Sequence, residues 1–78
     1  LVAAEQGMAD LLHLVREAPR YLLDNGWLLL EHGATQAGAV REALFLCGFA
    51  RVQTWQDLSG LDRVSGGQWL AASEATHA

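Results

Sequence analysis

Gly26-Trp27-Leu28-Leu29-Leu30-Glu31-His32-Gly33 is the stretch on which the fold turns. Its apolar centre is unbroken, lies between two glycines and is too short for a helix. It predicts a strand over Trp27–Leu30, buried on both faces as in a parallel sheet. The strand ends abruptly in a carboxylate, an imidazole and a glycine. A polar cluster at the carboxyl end of such a strand, with a helix behind it, is how open α/β sheets build ligand crevices. Glu31, His32 and Gly33 are therefore the candidate crevice residues.

The flanks carry clear local signals. Upstream, Met8, Leu11, Leu12, Val15, Ala18 and Leu22 form the stripe of an amphipathic helix over residues 8–23. Asp10 sits in its first turn, where the macrodipole favours an anion. Pro19 is expected to kink the helix or split off its last turn. Asp24-Asn25-Gly26 reads as a turn. Downstream, a second helix is predicted to begin near Gln36 or Ala37, with Val40, Ala43, Leu44 and Cys47 inward and Arg41 and Glu42 in water. Gly48 followed by Phe49 fits a left-handed cap with an apolar contact folded back. Arg51–Gln56 alternates and reads as a strand, and Asp57 to Asp62 as a loop. Arg63–Leu70 reads as a last strand with a bulge or bend at Gly66-Gly67. So short a connection makes the last two strands antiparallel.

Composition bounds the function. The 78 residues allow one domain at most, marginally able to stand alone. Half are apolar, so a core is intended. Nine carboxylates against five cationic side chains, all arginine, give a net charge of −4. That balance argues against a nucleic-acid footprint, which needs a basic face, and against a polybasic membrane contact. The single cysteine, Cys47, forms no internal disulfide and belongs to no zinc spacing. It reads as a buried structural thiol in a reduced, cytoplasmic setting. No stretch reaches the roughly 20 apolar residues of a membrane span.

Several segments together resemble one family. Trp27 to Gly33 and Gln36-Ala37-Gly38-Ala39-Val40-Arg41 carry the resemblance, with Gly7-Met8-Ala9-Asp10-Leu11 before them. Asp57-Leu58-Ser59-Gly60-Leu61-Asp62-Arg63-Val64-Ser65-Gly66-Gly67 closes it. They are similar to the carboxyl-terminal part of the HemK/PrmC family, the release-factor glutamine methyltransferases, from about Leu1 to Trp69. The resemblance implies an α/β fold, the second half of a Rossmann-like class I S-adenosylmethionine-dependent methyltransferase, in the order helix, strand, helix, strand, strand. Residues 1–70 would be the carboxyl-terminal methyltransferase segment, and 71–78 a flexible tail.

The same resemblance implies what the parent enzyme does. It would transfer a methyl group from S-adenosylmethionine to the glutamine of the Gly-Gly-Gln motif of peptide chain release factors, in translation termination. The family holds the donor with a Gly-rich loop after its first strand and the substrate amide with an Asn-Pro-Pro-Tyr signature after its fourth. The only proline here is Pro19, so that signature is absent. No catalytic, cofactor-binding or metal residue is carried over, and S-adenosylmethionine is expected for the full-length enzyme only. The chain starts at Leu1 rather than Met and is expected to be a piece of a longer polypeptide, inactive alone, that self-associates through an exposed sheet edge. The alternative is a stand-alone α/β protein-interaction module without catalysis.

Individual residues have plainer readings. Glu31 also suits pairing with a helix amino terminus, and His32 a satisfied turn residue. Leu30-Glu31-His32-Gly33 fails as a cofactor motif because Thr35 stands where a second glycine is needed. Gly66-Gly67-Gln68 repeats the release-factor tripeptide, but two glycines in a closing strand have backbone reasons. His13 reads as a partly exposed helical residue, and Trp27, Trp55 and Trp69 as core or edge packing.

Overall fold

The computed structural model describes residues 7–71. Helix α1 spans Met8–Glu17 and continues into a 3-10 turn at Ala18–Arg20. Strand β1 spans Gly26–Glu31, and a second 3-10 turn, Ala34–Gln36, leads into helix α2, Ala37–Leu46. Strands β2, Ala50–Gln56, and β3, Asp62–Trp69, complete the order. Pro19 acts as expected: it occupies the start of the 3-10 turn, where its missing N–H costs nothing and the α-helical bonding has already ended. The tail, taken as residues 71–78, lies outside the described residues from 72 on.

The three strands form one sheet in the order β1-β3-β2, with both pairings antiparallel. The last two strands pair as predicted. The first does not follow its expectation. Among the described residues β1 pairs with β3, antiparallel, and only its Leu28 and Leu30 face is fully buried. An all-apolar run states that a strand avoids water; it does not state which direction its neighbour runs. Leu11 and Val15 of α1 meet Val40 and Leu44 of α2, Leu28 and Leu30 of β1, and Phe49 in a single cluster. Both helices therefore cover the same face of the sheet. Each such side chain contributes about 1.5–3 kcal/mol on burial. The exposed Arg20–Glu17 pair contributes at most about 1 kcal/mol. The cluster, not surface charge, holds the layers together.

Helix α2 ends as its sequence foretells. Gly48 takes φ 97°. Its N–H donates to the Phe45 carbonyl at 3.1 Å, and the Phe49 N–H donates to the Leu44 carbonyl at 3.0 Å. This double bond pattern satisfies the orphan carbonyls of the last turn and folds Phe49 into the core. The Phe49 ring then meets Trp69 edge-on at 5.2 Å.

The Gly66-Gly67 pair is not a bulge. Gly66 faces Leu29 and Gly67 faces Leu28 in the regular β1–β3 ladder. The β2–β3 ladder shifts register twice, between Ala50 and Gln53, where Arg51 takes φ 52°, and between Trp55 and Gln56. What the glycines provide is room. A Cβ on Gly66 would strike the Leu28 carbonyl and lie 2.5 Å from Leu29 Cδ2, and one on Gly67 would lie 2.9 Å from Phe49 Cβ. Gln68 spans the sheet end: it accepts from Arg51 at 2.7 Å and donates to the Asn25 carbonyl at 2.9 Å.

The β2–β3 loop is organised by Asp57. Its carboxylate accepts from the Ser59 and Leu61 N–H groups at 2.9 and 3.0 Å and faces Arg63 Nε at 3.5 Å. The Leu61 bond above all, with Ser59 and the charge of Arg63, lowers the Asp57 pKa below its ordinary 3.8 despite an opposing desolvation.

Two expectations follow. Gly66→Ala should lower stability by at least about 1–3 kcal/mol, the overpacking range, because the obstacle is backbone. Gly38→Ala, in open space on α2, should be neutral or stabilising by up to about 1 kcal/mol. Urea midpoints of the two variants measure both. For Asp57, the folded-state pKa is the lower one. Its contribution is complete above the unfolded carboxylate range and disappears as pH falls through the folded midpoint. NMR titration should place the Asp57 carboxyl midpoint below that of an unfolded aspartate, and Asp57→Asn should remove that part of the acid sensitivity.

Candidate functional site at the carboxyl end of β1

The inward period of β1 runs Leu28, Leu30, His32, so the imidazole follows two leucines into the interior and is wholly buried. Its ring is not idle. Nδ1 lies 2.8 Å from the Gly33 carbonyl and Nε2 lies 2.7 Å from Ser65 Oγ. Ser65 is itself fully buried on β3, and its hydroxyl lies 2.6 Å from Thr54 Oγ1 on β2. Arg41 Nη1 of α2 donates to Thr54 Oγ1 at 2.6 Å. Arg41, expected in water, is thus half-buried and engaged, because α2 lies across β2 closely enough for its stem to reach the hydroxyl.

The ends of this chain set its direction. A guanidinium only donates and a carbonyl only accepts. With a singly protonated ring, Nδ1–H donates to the Gly33 carbonyl and Nε2 accepts, so the bonds run from Arg41 to Thr54, to Ser65, to His32 Nε2. Each hydroxyl accepts one bond and donates the next. Among the described residues no buried side-chain nitrogen or oxygen lacks a partner, which is what a dry polar network requires.

Gly33 is held on both sides of its peptide groups. Its N–H donates to Gln36 Oε1 at 2.7 Å, and its carbonyl also accepts the Gln36 N–H at 3.0 Å. The preceding His32 carbonyl takes Arg63 Nη1 at 3.3 Å. Glu31 has the opposite parity. It stands half-exposed on the outer face with Trp27 and Leu29, opposite Val64. The structure thus joins His32 and Gly33 in one network and sets Glu31 on the other face of the sheet.

Ser65, Thr54 and Arg41 were missed as site residues. The signal that finds the first two is period-two reading: Ser65 shares the inward face with Gly67, and Thr54 with Val52. Elsewhere, Trp27 meets Trp55 edge-on at 6.4 Å on the outer face. A cleft of about 280 Å³, lined chiefly by Leu14, Ala18, Tyr21, Leu22 and Trp27, lies at the other end of β1. Cys47 is half-buried against the core. Among the described residues no cluster of three or more His, Cys, Asp or Glu is arranged to hold a metal ion, and no helix is long and apolar enough to cross a membrane.

Two helices on one face of a sheet that ends in an antiparallel hairpin make part of an α/β methyltransferase fold. No protein-family model matches the chain. It is 55% identical over 69 residues to the release factor glutamine methyltransferase of Pseudomonas aeruginosa, covering 88% of this chain and 25% of that protein. The Vibrio cholerae enzyme of the same name is 51% identical over 75 residues, covering 96% and 26%. The Escherichia coli one is 44% identical over 69 residues, covering 88% and 25%. The chain spans about a quarter of the length of these curated relatives, and its sequence is similar to their carboxyl-terminal portion.

Ser65→Ala removes the donor to His32 Nε2 and the acceptor for Thr54 at a position that is itself fully buried. A loss of about 1–3 kcal/mol is expected from the stranded groups. Urea unfolding of the variant against wild type measures it.

Proposed function

We propose that this chain is the carboxyl-terminal segment of an enzyme that methylates the glutamine of the Gly-Gly-Gln motif in peptide chain release factors, with S-adenosylmethionine as the donor. The observation that carries this reading is identity of up to 55% with release factor glutamine methyltransferases over nearly the whole chain. The role of the segment is to brace. It supplies an edge of the sheet, the hairpin that closes it and, in the Gly33–Gln36 turn at the carboxyl end of β1, a border of the substrate crevice.

The described residues do not by themselves fit the donor. Both ring nitrogens of His32 and both peptide groups of Gly33 are committed within the chain. A nucleoside would need donors and acceptors that the turn has already spent on itself. The reactive machinery therefore belongs to other parts of the parent enzyme, and this chain alone is inactive. The Gly66-Gly67-Gln68 tripeptide is not its own substrate: both glycines are buried in a central strand, and the Gln68 amide is bonded at both ends.

The isolated chain also has an unguarded edge. Among the described residues β1 is paired on one side only, and it carries no proline, lysine or bulge to deter a partner strand. Self-association through β1 follows from that, and sedimentation of a compact monomer at high concentration would contradict it.

The test of function uses the chain and the whole enzyme side by side. Each is incubated with S-adenosylmethionine and a release factor, and methylglutamine is read by mass spectrometry. Product is expected from the whole enzyme and none from the chain. Calorimetry should show no binding of S-adenosylmethionine to the chain. Absence of product from the whole enzyme would overturn the reading, and micromolar donor binding by the chain would overturn the placement of the donor site.

A further inference from the structure

We propose that His32 is a positioning residue for the transfer reaction: it anchors the Gly33–Gln36 turn to the sheet, and the turn, not the imidazole, borders the crevice. The inference rests on the proposed function and deepens it.

Burial is the first argument. The ring is 0% exposed, so no substrate atom reaches it. Connectivity is the second. The relay from Arg41 passes through β2 and β3 before it reaches the ring, and its last bond falls on a backbone carbonyl of the turn. That carbonyl also takes the Gln36 N–H, while Gln36 Oε1 takes the Gly33 N–H. The turn is therefore closed on itself by Gln36 and tied to the sheet by His32. A carbonyl that accepts two bonds, one from a ring whose other nitrogen is fixed, has little freedom to shift.

Methyl transfer depends on alignment of nucleophile, methyl carbon and leaving group. Displacements on the order of 1 Å cost up to ~100-fold in rate. A turn at the end of a strand acquires such precision only if its own support is rigid. Here the support is a network between a helix and three strands, buried at His32 and Ser65 and half-buried at Thr54 and Arg41, where each bond polarises the next.

Three variants test this. Ser65→Ala cuts the bond to His32 Nε2. Thr54→Val leaves that bond but removes the Thr54 bonds to Ser65 and Arg41, whereas Thr54→Ser restores the hydroxyl. In the chain, nitrogen-15 NMR reads the tautomer of the His32 ring, and hydrogen exchange reads the Gln36 amide against Leu44 in the interior of α2, which reports general opening. Ser65→Ala should lower the Nδ1–H population and speed exchange at Gln36 by roughly tenfold or more relative to Leu44. Thr54→Val should move both readouts less, in the same direction, and Thr54→Ser should match wild type.

In the whole enzyme Ser65→Ala should lower kcat about tenfold with KM for the donor within about twofold. Ring tautomer and relative Gln36 exchange unchanged in Ser65→Ala would overturn the anchor. An unchanged kcat, or a Thr54→Ser variant as impaired as Thr54→Val, would overturn the positioning role. If the NMR changes appear while the wild-type whole enzyme methylates no release factor, the proposed function fails and the anchor stands.

Discussion

Two adjacent glycines in the central strand set the terms for everything packed around them. Gly66 opens the outer face of β3 to Leu29, and Gly67 opens the inner face to Phe49. Side chains at either place would push β1 or the end of α2 away from the sheet. With the strands in close contact, Leu28 and Leu30 sit at the depth where Leu11, Val15, Val40 and Leu44 reach them. The glycine cost in chain entropy, about 0.5–1 kcal/mol per residue, is small against the burial it permits.

The same close approach creates the polar network. Ser65 reaches both Thr54 and His32 because β3 runs between β2 and β1: it pairs directly with Thr54 on β2 and with Leu30 on β1, two residues before His32. Three strands and a helix thereby meet in a single line of hydrogen bonds that terminates at Gly33. Stability and the proposed positioning role draw on one arrangement. The core fixes the distances, the distances make the relay complete, and the relay holds the turn at the carboxyl end of β1.

Much of this was legible in the chain. The stripe over Met8–Leu22, the break at Pro19 and the cap at Gly48-Phe49 are local patterns, and each appears where the residues place it. The hairpin of β2 and β3 follows from a short loop. What stayed hidden is long-range. Nothing in an apolar run says whether its neighbour is parallel, and nothing in Gly66-Gly67 separates a bulge from a close crossing. The bond between His32 and Ser65 joins positions 33 apart. His32 was read as a crevice residue because a charged residue and a glycine stand beside it; its place on the Leu28 and Leu30 face, which buries it, emerges only once β1 is seen to have one inward side. The kinship of Trp27–Gly33 and of the closing segment with release factor methyltransferases was visible in the residues themselves, and curated relatives from three bacteria bear it out.

In the proposed function this segment is a brace whose partner is the remainder of the enzyme. Split-protein complementation tests that most directly: the chain and the preceding portion of the enzyme are produced as separate polypeptides, and methyl transfer to a release factor is measured for each alone and for the two together. Activity from the mixture and from neither component is the predicted result. A preceding portion that is fully active without these residues, or a chain that methylates unaided, would contradict it.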